Sequence, residues 1–141
     1  MQQKTHSSDV IIVGGGLIGL LQALSLAHHG MTSTIIDQAP HSTMRDQKFD
    51  GRTSAVISSS LMMLGLLNLD DAVLGQGEPV HNIIVREGTD GAPISFGDDA
   101  PLAMVYENQN LRTALLNAAI ENDLIYCCFG ASLLYPLAGA A

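Results

Sequence analysis

A glycine-rich turn with the spacing Gly14-x-Gly16-x-x-Gly19 constrains the fold of this chain more than any other feature of its sequence. The β-branched run Val10–Val13 directly precedes the turn and predicts a strand that is covered on both faces. From Leu17 onward the apolar residues recur at the spacing of a helix. A strand, a glycine turn and a helix in this order are typical of a dinucleotide-binding unit.

Each glycine of such a turn has its own physical task. Gly14 permits the tight turn, Gly16 lets the backbone approach a pyrophosphate, and Gly19 lets the helix pack closely on the strand. Gly15 lies between the first two, and we include it among the expected cofactor-binding residues. The pyrophosphate would lie at the helix N-terminus, where unpaired N–H groups favour an anion.

Asp37 completes the pattern. It ends a second β-branched run, Thr32–Ile36, and stands 21 residues after Gly16. The intervening helix is expected to end at His28-His29-Gly30, so strand, helix and strand form one right-handed βαβ unit. A carboxylate here accepts hydrogen bonds from ribose hydroxyls and disfavours a 2′-phosphate. We therefore expect FAD or NAD, and not NADP, at this site; the acid alone does not separate the first two.

The remainder of the chain predicts further α/β elements within one domain. We expect a loop over 38–52, a helix over 58–67 and a helix over 109–122. Ser58–Ser60 and Asn108 are expected to cap these helices at their N-termini. Strands are expected at 80–86, 94–96, 103–106 and 124–129, with a turn at 88–91 that joins the first two into a hairpin.

Composition and charge exclude several classes of protein. The 141 residues are 47% hydrophobic and 14% charged, which excludes an intrinsically disordered chain. The formal net charge of −8 disfavours binding to nucleic acid. Cys127 and Cys128 are adjacent, give neither a disulfide framework nor metal-ligand spacing, and indicate the cytoplasm. The uncharged run Val10–Ala27 is interrupted by glycines, so we expect no transmembrane segment. His6, His41 and His81 have no partner at ligand spacing, so we expect no metal site.

Basic residues are concentrated in one loop. Arg45, Lys48 and Arg52 lie within eight positions, and Arg52 is the best candidate to hold a phosphate. Three segments, Asp9–Gly16, Phe49–Ala55 and Val105–Arg112, occur in the order found in one family. On these segments the chain resembles the N-terminal part of the ubiquinone-biosynthesis hydroxylases. These are FAD-dependent aromatic monooxygenases similar to p-hydroxybenzoate hydroxylase. The resemblance runs from about Asp9 to Phe129.

The resemblance implies a Rossmann-like FAD/NAD(P)-binding fold of the glutathione-reductase type, with part of a substrate-side β-hairpin. It implies FAD as cofactor, NAD(P)H as the transient electron donor, O₂, and a small aromatic substrate, a prenylated phenol or quinone precursor. By position, Arg52 would contact the phosphate and ribityl region, and Asn108 and Arg112 the flavin side. A helix cap for Asn108 and a solvent-facing side chain for Arg112 stay open. No catalytic residue is assigned.

The resemblance also sets the expected organisation. Residues 1–141 would be an FAD-binding lobe, with the βαβ unit at 9–37 and a substrate-side hairpin region at 80–106. The family's downstream Gly-Asp motif does not occur, so we expect a truncated chain, impaired hydroxylation on its own and a partner for the second lobe. Peripheral contact with the inner membrane stays open.

Two alternatives remain. One is an NAD-dependent dehydrogenase or another flavin oxidoreductase. The other is a non-catalytic nucleotide-binding or partner-docking module, which exposed apolar surface would mark.

Overall fold

The computed structural model describes residues 6–44, 51–69, 77–97 and 99–133, which fall into two compact units. The first unit comprises Met1–Gln47 and Arg112–Ala141, and the second comprises Lys48–Leu111. One helix, α4 (Asn108–Ile120), crosses the boundary between them.

The first unit holds a parallel sheet that carries the glycine turn. Its elements in chain order are β1 (Val10–Val13), α1 (Leu17–His28), β2 (Ser33–Asp37), α2 (His41–Met44), the greater part of α4 (Asn108–Ile120) and β8 (Ile125–Phe129). Strand β2 lies between β1 and β8, and both pairings are parallel. The predicted βαβ unit is confirmed, with Gly30 in the left-handed conformation (φ 77°) just after α1.

The expectation that β1 is covered on both faces is wrong. Side chains of a strand alternate between faces, and Gly19 of α1 packs over Ile12. Ile11 and Val13 point to the opposite face and remain 60% and 65% exposed. The β-branched composition indicated a strand but did not indicate whether a second layer covers it.

The second unit is antiparallel. Its elements are β3 (Thr53–Ile57), α3 (Ser58–Leu66), β4 (Glu78–Val80), β5 (Asn82–Val85), β6 (Ile94–Gly97) and β7 (Ala103–Glu107). Strand β7 pairs with β3 on one side and β4 on the other, whereas β5 and β6 form a separate two-stranded hairpin. The predicted hairpin is confirmed, and Gly88 in its turn has a positive φ of 64°.

Several local predictions need correction. The expected loop over 38–52 contains the short helix α2, and its residues 45–50, with Arg45 and Lys48, lie outside the described residues. The expected strand over 80–86 is interrupted at His81, because β4 pairs with β7 and β5 pairs with β6. Strand β3 was not expected; its pairing with β7 joins residues about fifty positions apart, which local patterns do not report.

The predicted helix caps also differ. Ser58–Ser60 do not cap α3, because they form its first turn and Ile57 occupies the N-cap without a side-chain hydrogen bond. Asn108 is the first residue of α4, and its Oδ1 accepts a hydrogen bond from Ser54 Oγ over 2.6 Å. That acceptor therefore bonds to β3, and Asn108 lies inside the helix at its first position instead of preceding it as a cap.

Candidate functional site

The glycine turn has the geometry that its spacing predicts. Gly14 has a φ of 108°, a conformation that side chains rarely adopt, and its N–H donates to Ile36 O over 2.8 Å. A Cβ added to Gly19 would collide with the carbonyl oxygen of Gly14, so only glycine allows α1 to approach the turn this closely. Gly14 and Gly19 thus fulfil their expected roles in the backbone.

Gly16 leaves the start of α1 open. It occupies the N-cap, provides no side-chain hydrogen bond, and no atom of the described residues lies within 4 Å of the position a Cβ would take. Because the first-turn N–H groups of a helix lack intrahelical partners, this end attracts an anion. The open space beside Gly16 allows a phosphate to approach that end. The turn therefore fits the pyrophosphate of a dinucleotide.

Gly15 is buried, in contrast to the open Gly16. A Cβ added there would lie 3.0 Å from Met44 Cε and 3.2 Å from Phe129 Cε1. Its N–H donates to Asp37 Oδ2 over 2.6 Å. The contacts of Gly15 in the structure are therefore with α2, β8 and the acid at the end of β2.

A cavity of about 340 Å³ lies at the carboxyl ends of the parallel strands, within the size range of small-molecule sites. Asp37 lies in its wall, half-buried. Ligands of open α/β sheets bind at this edge. The cavity is lined by the end of β1 with Gly14, by the end of β2 with Gln38, and by the segment after β8: Val13, Gly14, Ile36, Asp37, Gln38, Ala131, Ser132 and Leu133. Turn and cavity together fit the pyrophosphate and ribose of a dinucleotide such as FAD or NAD.

Gln38 and the segment Ala131–Leu133 line this site although no sequence pattern predicted them there. The segment reaches the cavity because β8 lies beside β2, and Ala131 N–H donates to Asp37 O over 3.0 Å. A strand at 124–129 was predicted, but its place in the sheet was not. Had that order been inferred, the rule that parallel strands end at one edge would have identified the segment.

The other predicted site residues divide between the units. Arg52 and Asn108 belong to the second unit, where Asn108 N–H donates to Arg52 O over 3.0 Å. The Arg52 side chain is exposed, and Asn108 is half-buried. Arg112 is half-buried in the part of α4 that belongs to the first unit. The structure thus joins Gly14, Gly16, Gly19 and Asp37 in one site, and links Arg52 to Asn108 separately.

Three further features would bear on function in the described residues: a metal-ligand cluster, an activated thiol and a membrane-spanning helix. Among those residues, no three His, Cys, Asp or Glu side chains form a group that could hold a metal ion. Burial raises the pKa of the Cys127 thiol, so this residue is not an activated nucleophile. No helix within the same ranges has the length and hydropathy needed to cross a bilayer.

The parallel sheet, the open helix N-terminus and the acid at the end of β2 define a dinucleotide-binding α/β protein. A family model described as the FAD binding domain matches residues 7–131. The chain therefore belongs to the FAD-binding domain family, whose cofactor is FAD.

The chain is similar in sequence to ubiquinone-pathway hydroxylases and in fold to a probable FAD-dependent monooxygenase. Ubiquinone hydroxylase UbiL of Rhodospirillum rubrum is 32% identical over 114 residues, which is 77% of this chain and 26% of that protein. The 3-demethoxyubiquinol 3-hydroxylase of Escherichia coli K12 is 40% identical over 67 residues, 47% of this chain and 17% of that enzyme. PqsL of Pseudomonas aeruginosa, a probable FAD-dependent monooxygenase, has the same fold, with a TM-score of 0.67 at 19% identity over 87% of this chain and 33% of PqsL. The chain thus spans about a quarter of the first relative's length.

Proposed function

We propose that this chain is the FAD-binding part of a monooxygenase that hydroxylates the aromatic ring of a ubiquinone precursor. The observation that carries the proposal is the open N-terminus of α1 beside Gly16, with Asp37 at the adjacent cavity. This arrangement supports a dinucleotide with a free ribose. The names of the similar proteins support the hydroxylase class and the ubiquinone precursor.

The chain's own groups would bind and orient the cofactor. The first turn of α1 would hold the pyrophosphate, and the Asp37 carboxylate would accept hydrogen bonds from the ribose hydroxyls. When bound and reduced by NAD(P)H, FAD supplies the reaction with O₂ that places one oxygen atom on the ring and releases the other as water. The ring would belong to a prenylated phenol or quinone precursor.

Residues Arg52, Asn108 and Arg112 are proposed to contact FAD as the resemblance implies. The exposed guanidinium of Arg52 can hold a phosphate through two hydrogen bonds. The Ser54 hydroxyl donates to Asn108 Oδ1 at the start of α4. Held in this way, the Asn108 side-chain amide would be presented towards the flavin side. Arg52→Ala should weaken FAD binding, whereas Arg86→Ala, the same change at another exposed arginine, should not. Equal effects would make Arg52 an ordinary surface charge.

Purification and titration test the cofactor. Protein that binds FAD with an absorbance band near 450 nm, and binds NAD weakly, would support the proposal; colourless protein that binds NAD would favour a dehydrogenase. Gly16→Val should abolish FAD retention, because its side chain would fill the open space beside the helix start. Normal flavin content in this variant would contradict the assignment.

Hydroxylation is tested separately, on a polypeptide that carries this chain together with the further length of its relatives. With NAD(P)H and O₂, a prenylated phenol should gain one oxygen atom, as measured by mass spectrometry. We expect the 141-residue chain alone to hydroxylate poorly. FAD binding without hydroxylation by the longer polypeptide would retain the cofactor assignment and overturn the reaction.

We also propose that the uncovered face of the parallel sheet packs against the part of such an enzyme that this chain does not span. Parallel sheets are normally covered on both faces, yet Ile11, Val13 and Tyr126 share one face and are each at least 47% exposed. The hairpin β5–β6 is proposed to belong to the substrate side, and it exposes Ile83 and Phe96. Self-association of the short chain that disappears in the longer polypeptide would support this packing. Monodisperse behaviour with unchanged exposure of Tyr126 in the longer polypeptide would contradict it.

A cytoplasmic location is proposed from the adjacent Cys127 and Cys128, and peripheral membrane contact is proposed from the substrate class, because prenylated rings partition into bilayers. The fraction of the longer polypeptide that co-sediments with vesicles measures this contact. Co-sedimentation that depends on a prenylated substrate in the vesicles would support it, and complete absence of binding would contradict it.

A further inference from the structure

We propose that the Asp37 carboxylate is a positioning group that holds the pyrophosphate-binding turn in its binding conformation, in addition to any contact with ribose. This inference rests on the FAD site described above, and it concerns how the chain prepares that site before a nucleotide arrives.

Both carboxylate oxygens are engaged by backbone donors. Oδ2 accepts the Gly15 N–H at 2.6 Å, and Oδ1 accepts the Ala39 N–H at 2.8 Å. One side chain therefore connects the turn after β1 to the turn after β2. Hydrogen bonds to an ionised acceptor are stronger than those between neutral groups.

The backbone of the same residue continues this connection to the third strand. The Asp37 carbonyl accepts the Ala131 N–H at 3.0 Å, and the Ala39 carbonyl accepts the Gly130 N–H at 3.0 Å. Asp37 thereby joins the ends of all three parallel strands around the cavity. A change in the Asp37 side chain would therefore alter the hydrogen bond to Gly15, the residue next to Gly16.

The position of Gly15 explains why this contact would affect a phosphate bound at Gly16. Gly14 N–H bonds to Ile36 O, so the turn is held on one side by backbone alone. Gly15 is held by the carboxylate, and Gly16 follows as the N-cap of α1 without a side-chain capping hydrogen bond. The direction of the first-turn N–H groups therefore depends on the anchor at Gly15. Because a pre-formed site avoids the free-energy cost of ordering on binding, this anchor raises affinity.

Asp37→Asn tests this role with the smallest change in side-chain shape. Asparagine is nearly isosteric but has one oxygen and one NH₂ group, so either Gly15 N–H or Ala39 N–H must face a donor. Asp123→Asn makes the same charge change at an exposed residue outside the site and is the matched control.

The test compares ADP with 2′,3′-dideoxy-ADP, which lacks the ribose hydroxyls, by titration calorimetry under conditions where both variants are fully folded. If Asp37 acted only through its negative charge, Asp37→Asn would strengthen the binding of both anionic nucleotides. If Asp37 acted only through ribose, the variant would leave the affinity for the dideoxy nucleotide unchanged. A positioning role predicts that Asp37→Asn weakens both nucleotides, by about tenfold for the loss of a hydrogen bond to a charged group. A residue that only stabilises the fold would leave the affinity of the folded protein unchanged.

Amide hydrogen exchange provides a ligand-free measurement. Gly15 N–H should be protected in the unmodified chain, and Asp37→Asn should accelerate its exchange while leaving that of Ile35 in the middle of β2 unchanged. Unaltered dideoxy-ADP affinity together with unaltered Gly15 exchange would overturn the positioning role. If neither nucleotide binds the unmodified chain, the FAD-site assignment fails, and the exchange of Gly15 still decides whether Asp37 holds the turn.

Discussion

The ring of Tyr106 occupies the space that any side chain at position 77 would need. A Cβ added to Gly77 would lie 2.5 Å from Tyr106 Cε1 and 2.6 Å from its Cζ. Gly77 directly precedes β4, opposite Tyr106 on β7, so an aromatic ring covers a glycine across the strand pair.

Gly77→Ala should therefore destabilise the chain by about 1–3 kcal/mol, the usual cost of overpacking a well-filled site. Denaturant unfolding followed by circular dichroism measures this change. Gly16→Ala is the control, because the same methyl group enters open space there. Equal stability of the two variants would mean that the Tyr106 ring moves aside at no cost.

The hydroxyl of Tyr106 leads to a second prediction. The residue is 1% exposed, its buried hydroxyl oxygen has no hydrogen-bond partner among the described residues, and this burial raises the pKa of the phenol. Because a buried, unpaired polar group is unfavourable, Tyr106→Phe should raise the free energy of unfolding by about 1 kcal/mol. Ser33→Ala, which removes another buried hydroxyl without a partner, should act in the same direction. A loss of stability in both variants would indicate that water or a ligand satisfies these hydroxyls.

The sequence predicted the elements whose signals are local. The bounds of β1 and the start of α1 were correct because the change from β-branched to helical spacing occurs at the glycine turn. The end of α1 was correct because Gly30 needs a positive φ. Elements that depend on distant pairing were not predicted. Strand β3 is defined by β7, and Ser58 begins a helix instead of capping it because β3 continues directly into α3.

The candidate site follows the same division. Gly14, Gly16, Gly19 and Asp37 could be placed from spacing alone, since one βαβ unit carries them all. The segment after β8 could not, because its position depends on which strand lies next to β2. Nor does spacing report that Asp37 holds Gly15, since that contact depends on the side chain's direction.

Gly16→Ala and Gly19→Ala should separate cofactor binding from folding. The methyl group at position 16 enters open space beside the helix start, so stability should change by less than about 0.5 kcal/mol while FAD affinity falls. The methyl group at position 19 would meet the carbonyl of Gly14, so this variant should lose stability by more than about 1 kcal/mol even without FAD. Thermal unfolding of the FAD-free chain, paired with FAD titration, measures both. The assignment of the two glycines is wrong if their effects are exchanged.

The pair Asp9 and Thr32 should give the chain a pH-dependent component of stability. Asp9 Oδ2 accepts the Thr32 N–H at 2.8 Å and its hydroxyl at 2.7 Å, and Thr32 Oγ1 accepts the Asp9 N–H at 3.0 Å. These hydrogen bonds hold the pKa of the Asp9 carboxyl below its ordinary value of 3.8. A carboxyl with a lowered pKa in the folded state stabilises the fold above the unfolded value and loses this contribution as the pH falls through the folded one.

Asp9→Asn should therefore lower the melting temperature by a constant amount from neutral pH down to about pH 5, where the carboxyl is ionised in both the folded and the unfolded chain. Below about pH 4 the difference from the unmodified chain should shrink, because the unfolded carboxyl takes up its proton first. Thermal unfolding between pH 2.5 and 7 measures the difference, with Asp123→Asn as the control for removing one exposed negative charge. If the difference in melting temperature between Asp9→Asn and the unmodified chain stays constant down to the lowest pH, the ionised Asp9 carboxylate does not provide the stabilising contact with Thr32.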